Sequence, residues 1–254
     1  MKKLFVWIVL AGCMVHTNVS GANLTDTTET VKHFMQKVQQ AYQNAPYLGF
    51  HLLYRYANKS QPTNYIDSMA GEIAMDKNRV RLVMDDIETI TNDKYTIQVI
   101  KENKLIYLSL PKSVGVADPL SMLDTTLAHL KGVHTQIVHA KGRATLSISF
   151  PQQPEQLYKN IVMTVNESTG YLEKVVYDLY TTELVSQDQL SQTGKPGFYQ
   201  PEGRIEVLFS QYRKGAFNDS LFNEDRFFTR LAKGNYEPSE QYKEYQIFLA
   251  SVNL

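Results

Sequence analysis

Between Arg143 and Phe150 the chain alternates without interruption. Ala144, Leu146, Ile148 and Phe150 are apolar, and Thr145, Ser147 and Ser149 are polar. Successive side chains of a strand point to opposite faces, so this run reads as a strand with one face buried and one wet. The same period of two governs most of the chain. It starts with Leu48, Phe50, Leu52, Tyr54 and Tyr56, and continues through Ile73 and Met75 into a turn at Asp76-Lys77-Asn78. Val80, Leu82 and Met84 lead out of that turn, and Asn92-Asp93-Lys94 makes another before Tyr95, Ile97 and Val99. Lys101 to Lys104 separates that run from Leu105 to Leu110. Later, Ile161, Met163 and Val165 enter Asn166-Glu167-Ser168-Thr169-Gly170, where glycine suits a positive φ. Tyr171 to Tyr180 runs back, and Ile205, Val207 and Phe209 form a further strand. Short strands joined by tight polar turns predict an antiparallel meander.

Helical spacing is confined to a few places. Val31, Phe34, Met35, Val38, Ala41 and Tyr42 recur at intervals of three and four, behind a capping pair formed by Asp26 and Glu29. Pro46 ends that helix. Leu120, Leu123, Leu127 and Leu130 suit a short second helix between Pro119 and Gly132, and a short helix is expected near Asn223 to Ala232. A last strand is expected from Tyr242 to Val252. The stretch from Ser186 to Gly203, rich in Gln, Ser, Gly and Pro, reads as a long loop, and loops of that length usually carry function or are disordered. With no linker and no repeat, residues 23–254 are expected to form a single α+β domain built on a large curved antiparallel sheet.

The N-terminus gives the compartment. Lys2 and Lys3 precede the apolar run Leu4 to Val15, and Ser20-Gly21-Ala22 is a small-residue cleavage site. Residues 1–22 therefore read as a bacterial-type secretory signal, too short for a stop-transfer helix. The expected location is the periplasm, away from ATP, GTP and the reduced nicotinamide pools. Leu10-Ala11-Gly12-Cys13 also fits a lipobox, which makes Cys13 a candidate for lipidation and gives membrane anchoring as the alternative address. Read instead as one more apolar residue of the signal, Cys13 is lost on cleavage.

Cleavage after Ala22 leaves 232 of the 254 residues, without the single Cys or the single Trp, Trp7. Disulfides and thiol chemistry are then excluded, and a hydrophobic core must hold the fold. The 26 basic and 26 acidic residues balance and form no basic stripe, so nucleic acid is not an expected partner. No Gly-x-Ser-x-Gly elbow, phosphate loop, His-Glu-x-x-His or EF-hand pattern occurs. His134 and His139 are separated by five residues, which puts them on opposite sides of a strand. No metal site, cofactor or catalytic residue is expected, and the chain is not expected to be an enzyme.

A family resemblance rests on a set of loose motifs. The exported start, the long N-terminal helix, Gly71-Glu72-Ile73, Arg79-Val80-Arg81-Leu82 and the hairpin Val165-Asn166-Glu167-Ser168-Thr169-Gly170-Tyr171-Leu172 together resemble the periplasmic lipoprotein-carrier superfamily over roughly residues 25–180. The resemblance implies an incomplete β-barrel around an apolar cavity for acyl chains, with the helix at Leu120 to Lys131 as a lid. The chain departs from that pattern beyond Tyr180, where Phe222, Phe227, Phe228, Tyr236, Tyr242, Tyr245 and Phe248 form an aromatic-rich tail, and a counterpart of the carrier's functional arginine is not found. Several strands are apolar on both faces, more than two helices can cover. The first expectation is accordingly a periplasmic binder or carrier of lipid or lipoprotein acyl chains. Its cavity would be lined by Phe50, Leu52, Val80, Leu82, Ile97, Leu146 and Ile148. The alternative is a non-catalytic cell-envelope interaction protein that meets an envelope partner through the 186–203 loop or the tail. In either case membrane contact is peripheral or through a lipid anchor.

Overall fold

The computed structural model describes residues 26–111, 132–151, 157–185, 198–231, 234–251 and 254. The expected signal, Cys13, the expected lid helix and the 186–197 part of the long loop lie outside the described residues. Helix α1 spans Asp26–Gln43 and buries Val31, Phe34, Met35, Val38 and Tyr42, the predicted stripe. It stops where expected. The Ala45 amide turns back to the Tyr42 carbonyl at 3.1 Å, and Pro46 has no amide proton with which to continue the helix.

Fourteen strands follow among the described residues. They are β1 (Tyr47–Asn58), β2 (Tyr65–Asp76), β3 (Arg79–Met84), β4 (Ile87–Thr91), β5 (Thr96–Ile100), β6 (Leu105–Ser109), β7 (His134–Ala140) and β8 (Arg143–Ser149). Then come β9 (Tyr158–Asn166), β10 (Leu172–Tyr180), β11 (Glu202–Lys214), β12 (Phe228–Arg230), β13 (Tyr236–Pro238) and β14 (Gln246–Leu249). Twelve of them make one sheet in the order β14-β6-β5-β4-β3-β2-β1-β11-β10-β9-β8-β7, while β12 and β13 pair separately. Among the described residues the sheet does not close, since β14 and β7 each have one neighbour. The α+β class with one large, chiefly antiparallel sheet is thus the observed one. Strand β14 pairs parallel with β6, which brings it to the sheet edge.

The described residues divide into two compact units. The first takes those up to Ala41, Leu53–Met69 and those between Pro119 and Phe209; the second takes Tyr42–Leu52, those between Ala70 and Asp118, and Ser210–Leu254. In the first, the hairpin turn carries Gly170 at φ +74°, and the Asn166 side chain accepts hydrogen bonds from the Ser168 and Thr169 amides. A Cβ on Gly170 would sit 2.6 Å from the Ala41 Cβ, so α1 can lie on this turn only because the residue is glycine. In the second, Ile90, Tyr95, Ile97, Val99, Ile106 and Leu108 pack with Phe227, Phe228 and Tyr242. The tail aromatics there complete a core.

Two elements differ from expectation. Strand β4 was not anticipated, because Ile87, Glu88, Thr89 and Ile90 do not alternate cleanly; the turn at Asp85-Asp86 delivers it beside β3. The helix expected near Asn223 is instead a single 3-10 turn, Glu224–Arg226, capped by the Asn223 side chain on the Asp225 amide. Beyond that turn Phe228, Thr229 and Arg230 pair with Pro238, Glu237 and Tyr236, so the backbone finds its partners across a ladder instead of up a helix. The last strand is correspondingly short, Gln246–Leu249, after a 3-10 turn at Glu240–Tyr242.

Candidate functional site

The site is best built from the register of β8 to β11 in the first unit. Ile148 lies opposite Ile161, Ile161 opposite Tyr177, and Tyr177 opposite Ile205. The adjacent row is Leu146, Met163, Val175 and Val207. Directly opposed residues share a face, so these rows form one apolar surface. Leu146 and Met163 are wholly buried, and Ile148, Ile161 and Val175 nearly so.

A β-bulge adds an aromatic residue to this surface. Asp178 pairs with Asn160 but Leu179 pairs with Tyr158, so Lys159 is an extra residue in β9. Without the bulge Tyr158 would point with Asn160, away from Ile161. With it, Tyr158 turns to the face of Leu179 and Tyr177. Its ring lies 5.6 Å from that of Tyr177 and 6.5 Å from that of Phe150. Tyr54 of β1 is close enough to Tyr177 for the two phenols to interact electrostatically.

These three tyrosines combine two properties. Burial pushes the phenols of Tyr54, Tyr158 and above all Tyr177 upward in pKa, which marks them as deeply surrounded by protein. Their side chains are nevertheless half-buried, whereas Leu146, Ile148 and Ile161 beside them are closed off. Protein thus surrounds these three rings without closing them off. Among the described residues, the hydroxyls of Tyr158 and Tyr177 have no hydrogen-bond partner, and only burial and neighbouring phenols act on them.

The reverse face of the same strands is ionic. Asp178, 5% exposed, accepts from Arg204 Nε at 2.8 Å and Nη2 at 3.2 Å, and from the Lys59 ammonium. Burial would raise its pKa, but the Arg204 and Lys59 hydrogen bonds outweigh that and hold the carboxyl below the usual range. Glu206 accepts from the Tyr65 hydroxyl at 3.0 Å, and the Arg55 guanidinium lies 4.9 Å from the Tyr65 ring centre. The sheet here is amphipathic, one face for apolar groups and one for charge.

The candidate residues named from sequence fall in several places. Leu146 and Ile148 stand on the apolar face just described. Phe50 packs against Tyr42 at 6.0 Å and Tyr212 at 5.1 Å in the second unit, and Leu52 of β1 is buried there as well. Val80 and Leu82 are half-buried on β3, opposite Thr91 and Thr89. Ile97 lies opposite Ile90, which lies opposite Arg81, so it faces away from Val80 and Leu82 and into the cluster with Phe227 and Phe228. Sequence reasoning missed Tyr158 and Tyr177. The alternation of Ile161, Met163 and Val165 puts Tyr158 on the wrong face, and nothing in the sequence announces the bulge at Lys159. His134 and His139 lie opposite Ser149 and Ala144, on different faces as expected. Among the described residues no three His, Cys, Asp or Glu are placed to hold a metal ion, and no helix is long and apolar enough to cross a membrane.

No protein-family model matches the chain, and no curated protein does. Solved structures do. One is a LolA superfamily protein from Nitrosomonas europaea, 9% identical, covering 76% of this chain and 97% of its own, with a TM-score of 0.33. Another is lipoprotein LppX of Mycobacterium tuberculosis, 12% identical over 76% of this chain and 99% of its own, with a TM-score of 0.36. A third is the MucA/MucB complex of Pseudomonas aeruginosa, 14% identical over 76% of this chain and 60% of the matched one, with a TM-score of 0.40. These are likenesses of fold.

Proposed function

We propose that this chain is an exported, non-enzymatic binder or carrier of a lipid or acyl chain, held against the apolar face of β8 to β11. Leu146 and Ile148 form the floor under that ligand, and Tyr54, Tyr158 and Tyr177 form its wall. The observation that carries this reading is that these three tyrosines are deep and yet accessible. A packed core would have closed them off, as it has closed off Leu146 and Met163. The energetics suffice: burying about 300 Å² of apolar ligand surface gives about 7 kcal/mol before ordering costs. The signal-like N-terminus supports a periplasmic address, with acylation of Cys13 as the route to a membrane-anchored form.

Native mass spectrometry of protein purified gently after export tests the reading. A lipid adduct that organic extraction removes is expected, as is a fluorescence rise when N-phenyl-1-naphthylamine is added to the stripped protein. Bare protein that leaves the dye dark would overturn it.

A second reading, docking to an envelope protein, has its own observation. Leu110, Phe248 and Leu249 are 44%, 44% and 50% exposed around the edge strand β14. It predicts that Phe248→Ser with Leu249→Ser leaves lipid binding intact and abolishes a specific crosslink formed in envelope extracts.

A further inference from the structure

We infer that the ligand carries a neutral hydrogen-bond-accepting oxygen, a carbonyl or ester set within an apolar body, and that Tyr177 with Tyr158 donates to it. The inference rests on the binding reading above and narrows it to a chemical class.

Four observations lead there. Tyr177 stands in the row Ile148, Ile161, Tyr177, Ile205, so its ring rises from an aliphatic surface. The Lys159 bulge turns Tyr158 onto the same face, with the two rings 5.6 Å apart and inclined by 41°. Neither hydroxyl meets a protein partner among the described residues. Nor is either hydroxyl a buried unpaired atom, so each is open to solvent while the site is empty. An apolar ligand that covers them strips that water, and one that supplies an acceptor restores the hydrogen bond where a plain hydrocarbon does not.

Among the described residues, the charge distribution disfavours an anionic acceptor at this depth. In the two rows through Tyr177 and Val175, from β7 to β11, the residues are Thr135, Ile148, Ile161, Tyr177 and Ile205, then Ile137, Leu146, Met163, Val175 and Val207. None is charged. Arg204 and Lys59 lie on the reverse face, committed to Asp178. Among the described residues, a carboxylate or phosphate beside Tyr177 would therefore find no counter-ion, and its burial would oppose binding. A neutral carbonyl meets no such obstacle, and phenols kept un-ionised by burial are donors suited to it.

Two fluorescent probes of similar ring size separate the cases. 6-Propionyl-2-dimethylaminonaphthalene carries a ketone whose emission shifts to the red when it accepts a hydrogen bond; N-phenyl-1-naphthylamine has no carbonyl. Each is titrated into exported, lipid-stripped protein and into Tyr177→Phe. The expected result is about tenfold weaker binding of the ketone probe to Tyr177→Phe, a blue shift of its emission, and binding of the amine probe within twofold of wild type. Because the Tyr177 hydroxyl is open to solvent in the empty protein, Tyr177→Phe should leave its heat stability about unchanged. If Tyr177→Phe fails to fold, Tyr158→Phe is read by the same split. Equal effects on both probes, or none on either, overturn the inference and leave the binding reading standing. Failure of both probes to bind wild type overturns the binding reading itself.

Discussion

Gly203 has no room for a side chain. A Cβ there would lie 2.6 Å from the Tyr56 ring carbon Cε2 and 2.7 Å from Thr181 Oγ1, the two residues joined by a buried hydroxyl pair at 2.8 Å. Gly203→Ala must therefore displace groups that have nowhere to go, and should destabilise the protein by about 2 kcal/mol. Urea denaturation checks this. Tyr56→Phe combined with Gly203→Ala should cost less than the sum of the two, because both act on one contact. Asp178 makes the opposite kind of demand. Its carboxylate is closed off while Lys59 and Arg204 remain about a third exposed, so the cations can re-solvate when it is lost. Asp178→Ala should then destabilise by about 2 kcal/mol, below the 3–5 expected when a wholly buried partner is stranded.

The tail is held by its aromatic residues, and this sets the consequence of truncating them. Phe227 is fully closed off against Ile97, Val99, Ile106 and Leu108, with Tyr242 5.3 Å away. Phe227→Ala should destabilise by about 3–5 kcal/mol. It should also raise hydrogen exchange in β5 and β6 before β8 and β9, since the latter lie in the other unit. The strand runs, helix α1 and the glycine turn at Gly170 were legible in the sequence because each obeys a local rule: a period of two, a period of 3.6 or a positive φ. What was not legible required knowing pairing partners. Ile97 and Leu82 both sit on alternating strands, yet the intervening β4 puts them on opposite faces. Tyr158 is likewise placed by a bulge that exists only in its pairing with β10. Of the seven proposed lining residues, Leu146 and Ile148 are those whose surroundings include the accessible tyrosines. Alternation could identify their face as buried, but not what else shares it.

Stability of the whole molecule should depend on pH through groups that differ between folded and unfolded chains, not through net charge. On the acid side, Asp178 is held low by Arg204 and Lys59 against the effect of burial. Glu173 is held low by Arg143 and Asn166, and Glu224 by Lys94, its own amide and Asn92, again against burial. A depressed folded pKa contributes stability that is present above the unfolded value and lost as pH falls through the folded one. With unfolded carboxyls near 4, the loss should set in below about pH 4. On the alkaline side burial pushes Tyr56 to about 12, slightly offset by the Thr181 hydrogen bond, and pushes Tyr199 to about 12 with help from Asp67. Raised phenols contribute stability that is intact below the unfolded value of about 10 and disappears above it, as the unfolded chain ionises first. Urea midpoints measured from pH 2 to 11 should therefore be flat between about pH 5 and 9 and fall at both ends. Asp178→Asn should lower the plateau and soften the acid limb, while Tyr199→Phe should soften the alkaline one. A chain governed by its overall charge would instead peak sharply near its isoelectric point of about 7.0, and that outcome would refute the assignment to these groups.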